Sequence, residues 1–344
     1  MISRRPFRNR VLDFALVLVV ACCVARTAGA VQIKFERTLK GDSEVLSVAF
    51  SPDGKTVASG TKNGIRIYDA GTGKLKSAWK WRKDRTKCVV FSSDGQLLAS
   101  GGEDTFVRLW NVRTARVMRV FRGHSAPIIS LAFSPIGSTL ATTSASEDEE
   151  DSSSGELKVW NSQTGKLKRT LYQGSGVYPV VFSSDGKTLA AASGGLYQSS
   201  ELHFWNARTL NEHRVLELHN RRQASPEVNA MVFTRNTLIV VSYDDSSDTA
   251  FRFFNVHDGH FLKILRDKER LTRGVALSPD NKILAVSSED VSDSSRVDLR
   301  DARTGETLRS AKERPKNIFS LAFSKDGLLA AGSENRNITL WRIK

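Results

Sequence analysis

The residues able to do chemistry are few and do not converge. Six histidines, His124, His203, His213, His219, His257 and His260, are scattered along the chain. His257 and His260 stand three apart, close enough to share a metal ion, but imidazoles in a hairpin turn read first as exposed polar surface. Cys88 lies inside the apolar run Cys88-Val-Val-Phe91, the setting of a small core residue and not of a nucleophile. Asp244, Asp245 and Asp248 are a cation-site alternative, because hard cations want clustered oxygens, yet the spacing of a calcium loop is absent. Tyr172, Tyr178 and Tyr197 read as packing residues, with a binding hot spot as the alternative. No Gly-x-Ser-x-Gly, His-Glu-x-x-His, Walker or Cys-x-x-Cys motif occurs. No catalytic, cofactor-binding or metal-ligating residue is therefore assigned, and no cofactor is expected.

The elements that would position such residues are written as a repeat. Ser47-Val-Ala-Phe-Ser-Pro-Asp-Gly54 returns in seven versions whose anchors are Phe50, Phe91, Phe133, Phe182, Phe233, Leu277 and Phe323, at spacings of 41, 42, 49, 51, 44 and 46. Self-similarity at this period marks an array of one supersecondary unit. A second phrase runs in step: Ile65-Arg-Ile-Tyr-Asp69, Val107-Arg-Leu-Trp-Asn111, Leu157-Lys-Val-Trp-Asn161 and four further copies. Its apolar–polar alternation is the period of a strand with two unlike faces. Four of the six tryptophans, Trp110, Trp160, Trp205 and Trp341, share one register in it. Ser-Pro-Asp-Gly is turn chemistry, since Pro presets φ and Gly accepts φ > 0. No helical period of useful length appears after residue 30.

These coupled phrases resemble the WD40 family of β-propellers over Val31 to Lys344. The resemblance implies an all-β fold, a seven-bladed propeller of four-stranded antiparallel blades with strands a to d. Seven copies of a, b and c are present. The last d strand is missing from the C-terminal end, and residues 32–39, ahead of the first copy, are expected to supply it and so close the ring. The family also implies a buried hydrogen-bonded set in many blades: His before a, Ser or Thr on b, Asp in the b–c turn and Trp on c. Here the expected structural members are Ser100, Asp104 and Trp110 in copy two, His124, Ser144 and Trp160 in copy three, Trp205 in copy four, and Ser333, Asn335 and Trp341 in copy seven. Copies five and six keep least of the set and should be the least regular, since a partial polar network is a weak point.

The distance from the first anchor to the second is 18 or 19 residues in copies one, two and seven, and 21 to 27 in the others. The extra residues should fall in b–c loops, which are acidic and serine-rich (Glu149, Glu150, Asp151; Asp244, Asp245). The d–a loops are basic (Arg82, Lys83, Arg85; Arg221, Arg222). Family topology puts both sets on one face. Mutual screening is the plain reading of such a face, and a charged docking surface for a protein partner is the functional one.

Residues 1–30 read as an export signal. Arg4, Arg5, Arg8 and Arg10 precede an apolar run from Val11 to Val24, and Ala28-Gly29-Ala30 supplies small residues for cleavage before Val31. Ser3-Arg4-Arg5-Pro6-Phe7 resembles a twin-arginine motif, and Val19-Val20-Ala21-Cys22 resembles a lipobox. The expectation is a bacterial protein of the periplasm or cell exterior, with residues 1–30 a signal peptide and 31–344 one domain. A retained anchor is the alternative. The formal charge of +14 would fall to +10, because the segment carries five Arg and one Asp, and Cys88 would be the one cysteine left. Basic charge attracts phosphate, but interrupting acidic loops and the absence of a recognition motif argue against nucleic acid. A monomer with a protein partner and possible association with an anionic envelope surface is expected. A non-catalytic interaction scaffold is the first reading, and a lactonase- or quinoprotein-like propeller enzyme with its site at the channel mouth the second.

Overall fold

The computed structural model describes residues 31–80, 85–146, 155–174, 176–195, 198–218, 226–243, 248–267, 270–290, 295–313 and 315–344. Residues Val31–Lys344 form one compact unit. Residues 1–30, expected to be a signal peptide, and the candidates Arg82, Lys83, Glu149, Glu150, Asp151, Tyr197, His219, Arg221, Arg222, Asp244 and Asp245 lie outside the described residues.

The chain first forms β1 (Ile33–Lys40) and then writes the repeat blade by blade. Blade 1 is β2 (Val45–Phe50), β3 (Thr56–Thr61), β4 (Gly64–Asp69) and β5 (Leu75–Trp79). Blade 2 is β6 (Thr86–Phe91), β7 (Leu97–Gly102), β8 (Val107–Asn111) and β9 (Arg116–Phe121). Blade 3 is β10 (Ile128–Phe133), β11 (Thr139–Ser144), β12 (Gly155–Asn161) and β13 (Leu167–Gly174). Blade 4 is β14 (Val177–Phe182), β15 (Thr188–Gly195), β16 (Gln198–Asn206) and β17 (Glu212–Glu217). Blade 5 is β18 (Glu227–Phe233), β19 (Thr237–Tyr243), β20 (Thr249–Asn255) and β21 (Phe261–Asp267). Blade 6 is β22 (Arg270–Leu277), β23 (Ile283–Asp290), β24 (Ser295–Asp301) and β25 (Thr307–Ser310). Blade 7 is β26 (Ile318–Phe323), β27 (Leu328–Ser333) and β28 (Asn337–Ile343), completed by β1 in the order β1-β28-β27-β26.

The expected closure is therefore present. β1 runs antiparallel to β28, from Ile33 opposite Ile343 to Lys40 opposite Asn337. The residues were chosen for this place: Leu39 is fully buried beside Leu340, Ile338, Val45 and Val57. Around the ring, β2 packs against both β6 and β26, so the first and last a strands meet. Across that junction the Val48 N–H donates to Ser320 Oγ at 3.1 Å, and the Val89 N–H donates to Ser47 Oγ at 3.2 Å at the next.

The core is not one mass but seven apolar layers, each shared by two neighbouring blades. A single four-stranded sheet cannot bury its own apolar faces, and stacking against a neighbour removes them from water. The Ser-x-Asp-Gly turns show why their residues recur. Ser51 Oγ donates to Asp53 Oδ1 at 2.5 Å, which also accepts the Lys55 N–H at 3.0 Å, while Gly54 takes φ 72°. Ser92–Asp94 and Ser183–Asp185 repeat the same bond. These bonds hold all three carboxyls below their ordinary range.

Two expectations about the blades need adjustment. The extra residues between strands b and c are not all loop: in blade 4 the ladder continues to Gly195 opposite Gln198, and in blade 6 to Glu289 opposite Ser295. Blades 5 and 6 each complete four strands; the short element is β25, with four residues.

Candidate interaction face

The buried polar set was expected to recur by register, and in the structure it is redistributed. The c-strand aromatic, replaced by Arg300 in blade 6, can meet a side chain on strand b through the residue two places before it. That b position is Ser59, Ser100, Thr142, Ala191, Val240, Val286 and Ala331 in blades 1 to 7. A hydroxyl exists there only in the first three blades.

Blade 2 follows expectation in part. Trp110 Nε1 donates to Ser100 Oγ at 2.8 Å. Asp104, however, pairs with the guanidinium of Arg108 and accepts the Phe106 N–H at 3.2 Å. The side stacked on Trp110 is taken by Trp79, with ring centroids 5.3 Å apart. A large apolar ring there needs no polar partner beyond Ser77, whose Oγ accepts its indole N–H at 2.9 Å.

Blade 3 brings His124, Ser144 and Trp160 into one buried set and adds Thr142 as the tryptophan's acceptor. Trp160 Nε1 donates to Thr142 Oγ1 at 2.8 Å, and Thr142 Oγ1 lies 2.6 Å from His124 Nε2. Ser144 meets the other ring nitrogen, Nδ1, at 2.9 Å. Glu156, not an Asp of the turn, completes the set: its Oε2 is 3.2 Å from His124 Nδ1, and its Oε1 accepts from Lys158 Nζ at 2.8 Å. One arrangement satisfies every group. The indole donates to the threonine hydroxyl, the hydroxyl to Nε2 of a neutral imidazole, and Nδ1–H points to the carboxylate. Burial is the largest influence on His124 and pushes its pKa down, against the upward pull of Glu156. Burial would raise Glu156, but bonds from His124, Lys158 and the Ser125 N–H outweigh it and bring the carboxyl to about 2.

Blade 7 departs further. Ala331 leaves Trp341 without a hydroxyl, and its Nε1 instead donates to Glu313 Oε2 at 2.8 Å, from the loop before β26. Ser333 Oγ turns to Asn335 Oδ1 at 2.6 Å. In blade 4, Trp205 stacks on His203 with centroids 5.5 Å apart, and His203 bonds Ser193 at 2.9 Å and Glu212 at 2.8 Å. Tyr172 approaches the same imidazole edge-on at 5.1 Å, so it packs between blades. Tyr178 sits in β14, and His257 and His260 are exposed in the turn before β21. Cys88 is buried, and burial pushes its thiol pKa up to about 12. Among the described residues no group of three or more His, Cys, Asp or Glu is placed to hold a metal ion.

The loop face brings b–c and d–a segments of neighbouring blades together. Arg85, a candidate docking residue of the loop face, bridges two carboxylates: it lies 3.6 Å from Glu44 before blade 1's first strand and 3.5 Å from Glu103 in the b–c turn of blade 2. Lys62 closes on the same Glu44 at 2.6 Å. At the ring junction Asp42, Ser43, Glu44, Lys62, Glu334 and Arg336 line an open cleft of about 310 Å³. Beside it the Gly41 N–H donates to the Arg336 carbonyl at 2.8 Å. Lys62, Glu44, Glu334 and Arg336 were missed by motif reasoning, because they come from three separate stretches of chain that only the closed ring brings together.

A family model described as IFT122 first beta-propeller matches residues 44–292, and a WD domain, G-beta repeat model matches residues 305–342. The chain belongs to the IFT122 first β-propeller family. Its WD40 relatives are distant. Periodic tryptophan protein 2 homolog of Dictyostelium discoideum is 26% identical over 46% of this chain and 22% of its own length. WD repeat-containing protein SL1-17 of Schistosoma mansoni is 28% identical over 54% of this chain and 60% of its own. The intraflagellar transport protein 122 homolog of Mus musculus is 28% identical over 31% of this chain and 9% of its own. This WD40 propeller thus spans less than two thirds of these relatives. No helix among its described residues is long and apolar enough to cross a membrane.

Proposed function

We propose that this propeller is an exported, non-catalytic scaffold that docks a protein partner on its b–c and d–a loop face. The observation that carries the reading is the run of ion pairs from Lys62 through Glu44 and Arg85 to Glu103, which joins loops of adjacent blades into one charged surface beside the junction cleft. Fixed charges of both signs suit selective docking, because a wrong partner meets like charges. Distant similarity to WD40-repeat proteins supports a binding role over a reaction. Export rests on the arginine-led apolar segment and Ala28-Gly29-Ala30; it places the protein in a bacterial periplasm or outside the cell.

The test is a photocrosslinker at position 336, beside the cleft, and a second at position 215 on the outer edge of blade 4. A discrete adduct from position 336, abolished by Lys62→Glu and absent from position 215, supports docking on this face. Adducts that survive Lys62→Glu overturn docking on this face, and turnover of a lactone panel by the purified protein overturns it in favour of the enzyme reading. N-terminal mass analysis checks export separately: a chain starting at Val31 outside the cytoplasm supports it, and an intact Met1 in the cytoplasm refutes it.

A further inference from the structure

The charge surplus has an address. The outermost strands β5, β9 and β13 hold five Lys and Arg and no Asp or Glu. The corresponding strand of blade 4, β17, holds Glu212 and Glu217 against Arg214. Around the three basic strands, Lys74, Arg113, Arg116 and Lys166 are exposed. Lys76 meets Asp69 at 3.0 Å; these four make no ion pair among the described residues. The cations of blades 2 and 3 adjoin, because the c–d turn of blade 3 lies on the d strand of blade 2, as that of blade 1 lies on β1. Arg119 of β9 lies against Gly165 beside Lys166, and Arg37 of β1 against Gly73 beside Lys74. Between the cations stand exposed aliphatic side chains, Leu75, Met118 and Leu167.

We propose that the outer rim of blades 1 to 3 binds a flexible acidic polysaccharide. Charge complementarity selects a polyanion. Curvature selects a flexible one: seven wedges in a ring turn the rim by about 50° per blade, so a flat bilayer touches one blade edge at a time while a polymer can follow all three. The side chains between the cations select sugar. Single-stranded nucleic acid binds by stacking bases on aromatic rings, and the large exposed apolar groups on these three strands are aliphatic. Aliphatic groups flanked by cations suit the C–H faces of sugar rings carrying carboxylate or sulfate. Cations also protect sheet edges from pairing, but that need is equal in every blade and does not account for the carboxylates of β17. This rim is separate from the loop face, so either role stands without the other.

The experiment measures binding of the full chain to heparin and polygalacturonate, with anionic phosphatidylglycerol vesicles and single-stranded DNA as competing probes. The fourfold variant K74E/R113E/R116E/K166E is compared with R208E/K282E/R303E/K312E, which changes the net charge equally on blades 4 and 6. The expected result is a loss of about tenfold or more in polysaccharide affinity for the rim variant and less than about twofold for the other, with binding weakened by salt. Thermal melts establish that both are folded, and Gln at the same four rim positions should give an intermediate loss. Equal losses in both variants, no polysaccharide binding at low salt, or preference for vesicles or DNA overturns the proposal.

Discussion

Thr142→Val should destabilise the propeller by about 2–4 kcal/mol, while Ser144→Ala two residues along the same strand should cost about 1 kcal/mol or less. Valine keeps the shape of threonine, so the change is chemical. The lost hydroxyl accepts from Trp160 Nε1 at 2.8 Å and faces His124 Nε2 at 2.6 Å. Thr142 is fully buried, and Trp160 and His124 are 3% and 7% exposed, so water does not replace the bond. Each orphaned group costs about 1–3 kcal/mol, and two are created. Ser144→Ala is milder because His124 Nδ1 keeps Glu156 Oε2 at 3.2 Å. The assay is equilibrium urea unfolding of both variants, with unchanged slope as the check that compactness is preserved. Adding Trp160→Phe to Thr142→Val removes one of the orphans, so the double variant should lose less than the sum of the singles. Equal losses for Thr142→Val and Ser144→Ala, or additivity in the double variant, would refute the proposed hydrogen-bond chain.

The same cluster sets an acid response. His124 is held below its unfolded value of about 6.5, so below that pH the unfolded chain takes up a proton that the folded chain refuses, and stability falls. Glu156, at about 2, adds a second loss as the pH drops from the ordinary carboxylate range toward that value; urea midpoints from pH 7.5 to 4 should slope downward, and His124→Gln should flatten the upper part. Leu39→Ala should cost about 2–5 kcal/mol as a buried cavity in the closing strand, and deleting residues 31–40 should replace one cooperative melt by a broad one; an unchanged melt would show that β1 does not close the ring. Cys88, with its thiol raised to about 12 and buried, should resist a thiol reagent in the folded protein and react after urea unfolding; labelling of the native protein at the unfolded rate would contradict that burial.

The architecture was legible because it is local. A Phe anchor, a Ser-Pro-Asp-Gly turn and a Trp phrase each declare their own strand, and seven copies in phase declare the ring. Even the closing strand could be placed by counting, since one d strand was missing and one alternating segment was spare. The polar sets were less legible because a motif names a register and not a partner. Thr142 and Ser144 lie on one face of β11, and only the pairing of Thr142 with Lys158 and of Ser144 with Glu156 decides which hydroxyl meets the indole. Glu313 could have been suspected from Ala331, since a buried indole N–H deprived of its hydroxyl must find another acceptor.

The rim charge was visible as composition and invisible as geometry. The basic loops do not carry it as free charge, since Arg85 there bridges two carboxylates. A d strand reads as a weak, irregular tail of each repeat, so its residues carry no family motif. Its register becomes plain only once pairing with strand c is known. The residue opposite the one before the aromatic, or before Arg300 in blade 6, is then Arg37, Ser77, Arg119, Arg169, Arg214, Lys263 and Arg309 around the ring. Two of these tie blade to blade: Arg169 donates to the Leu210 carbonyl at 3.0 Å, and Lys263 to the Arg303 carbonyl at 2.6 Å. Repetition at this position therefore answers to packing between blades, which every blade needs. What packing does not require is the additional cations of blades 1 to 3, which among the described residues touch no carbonyl and no carboxylate, and those are the ones a polyanion can reach.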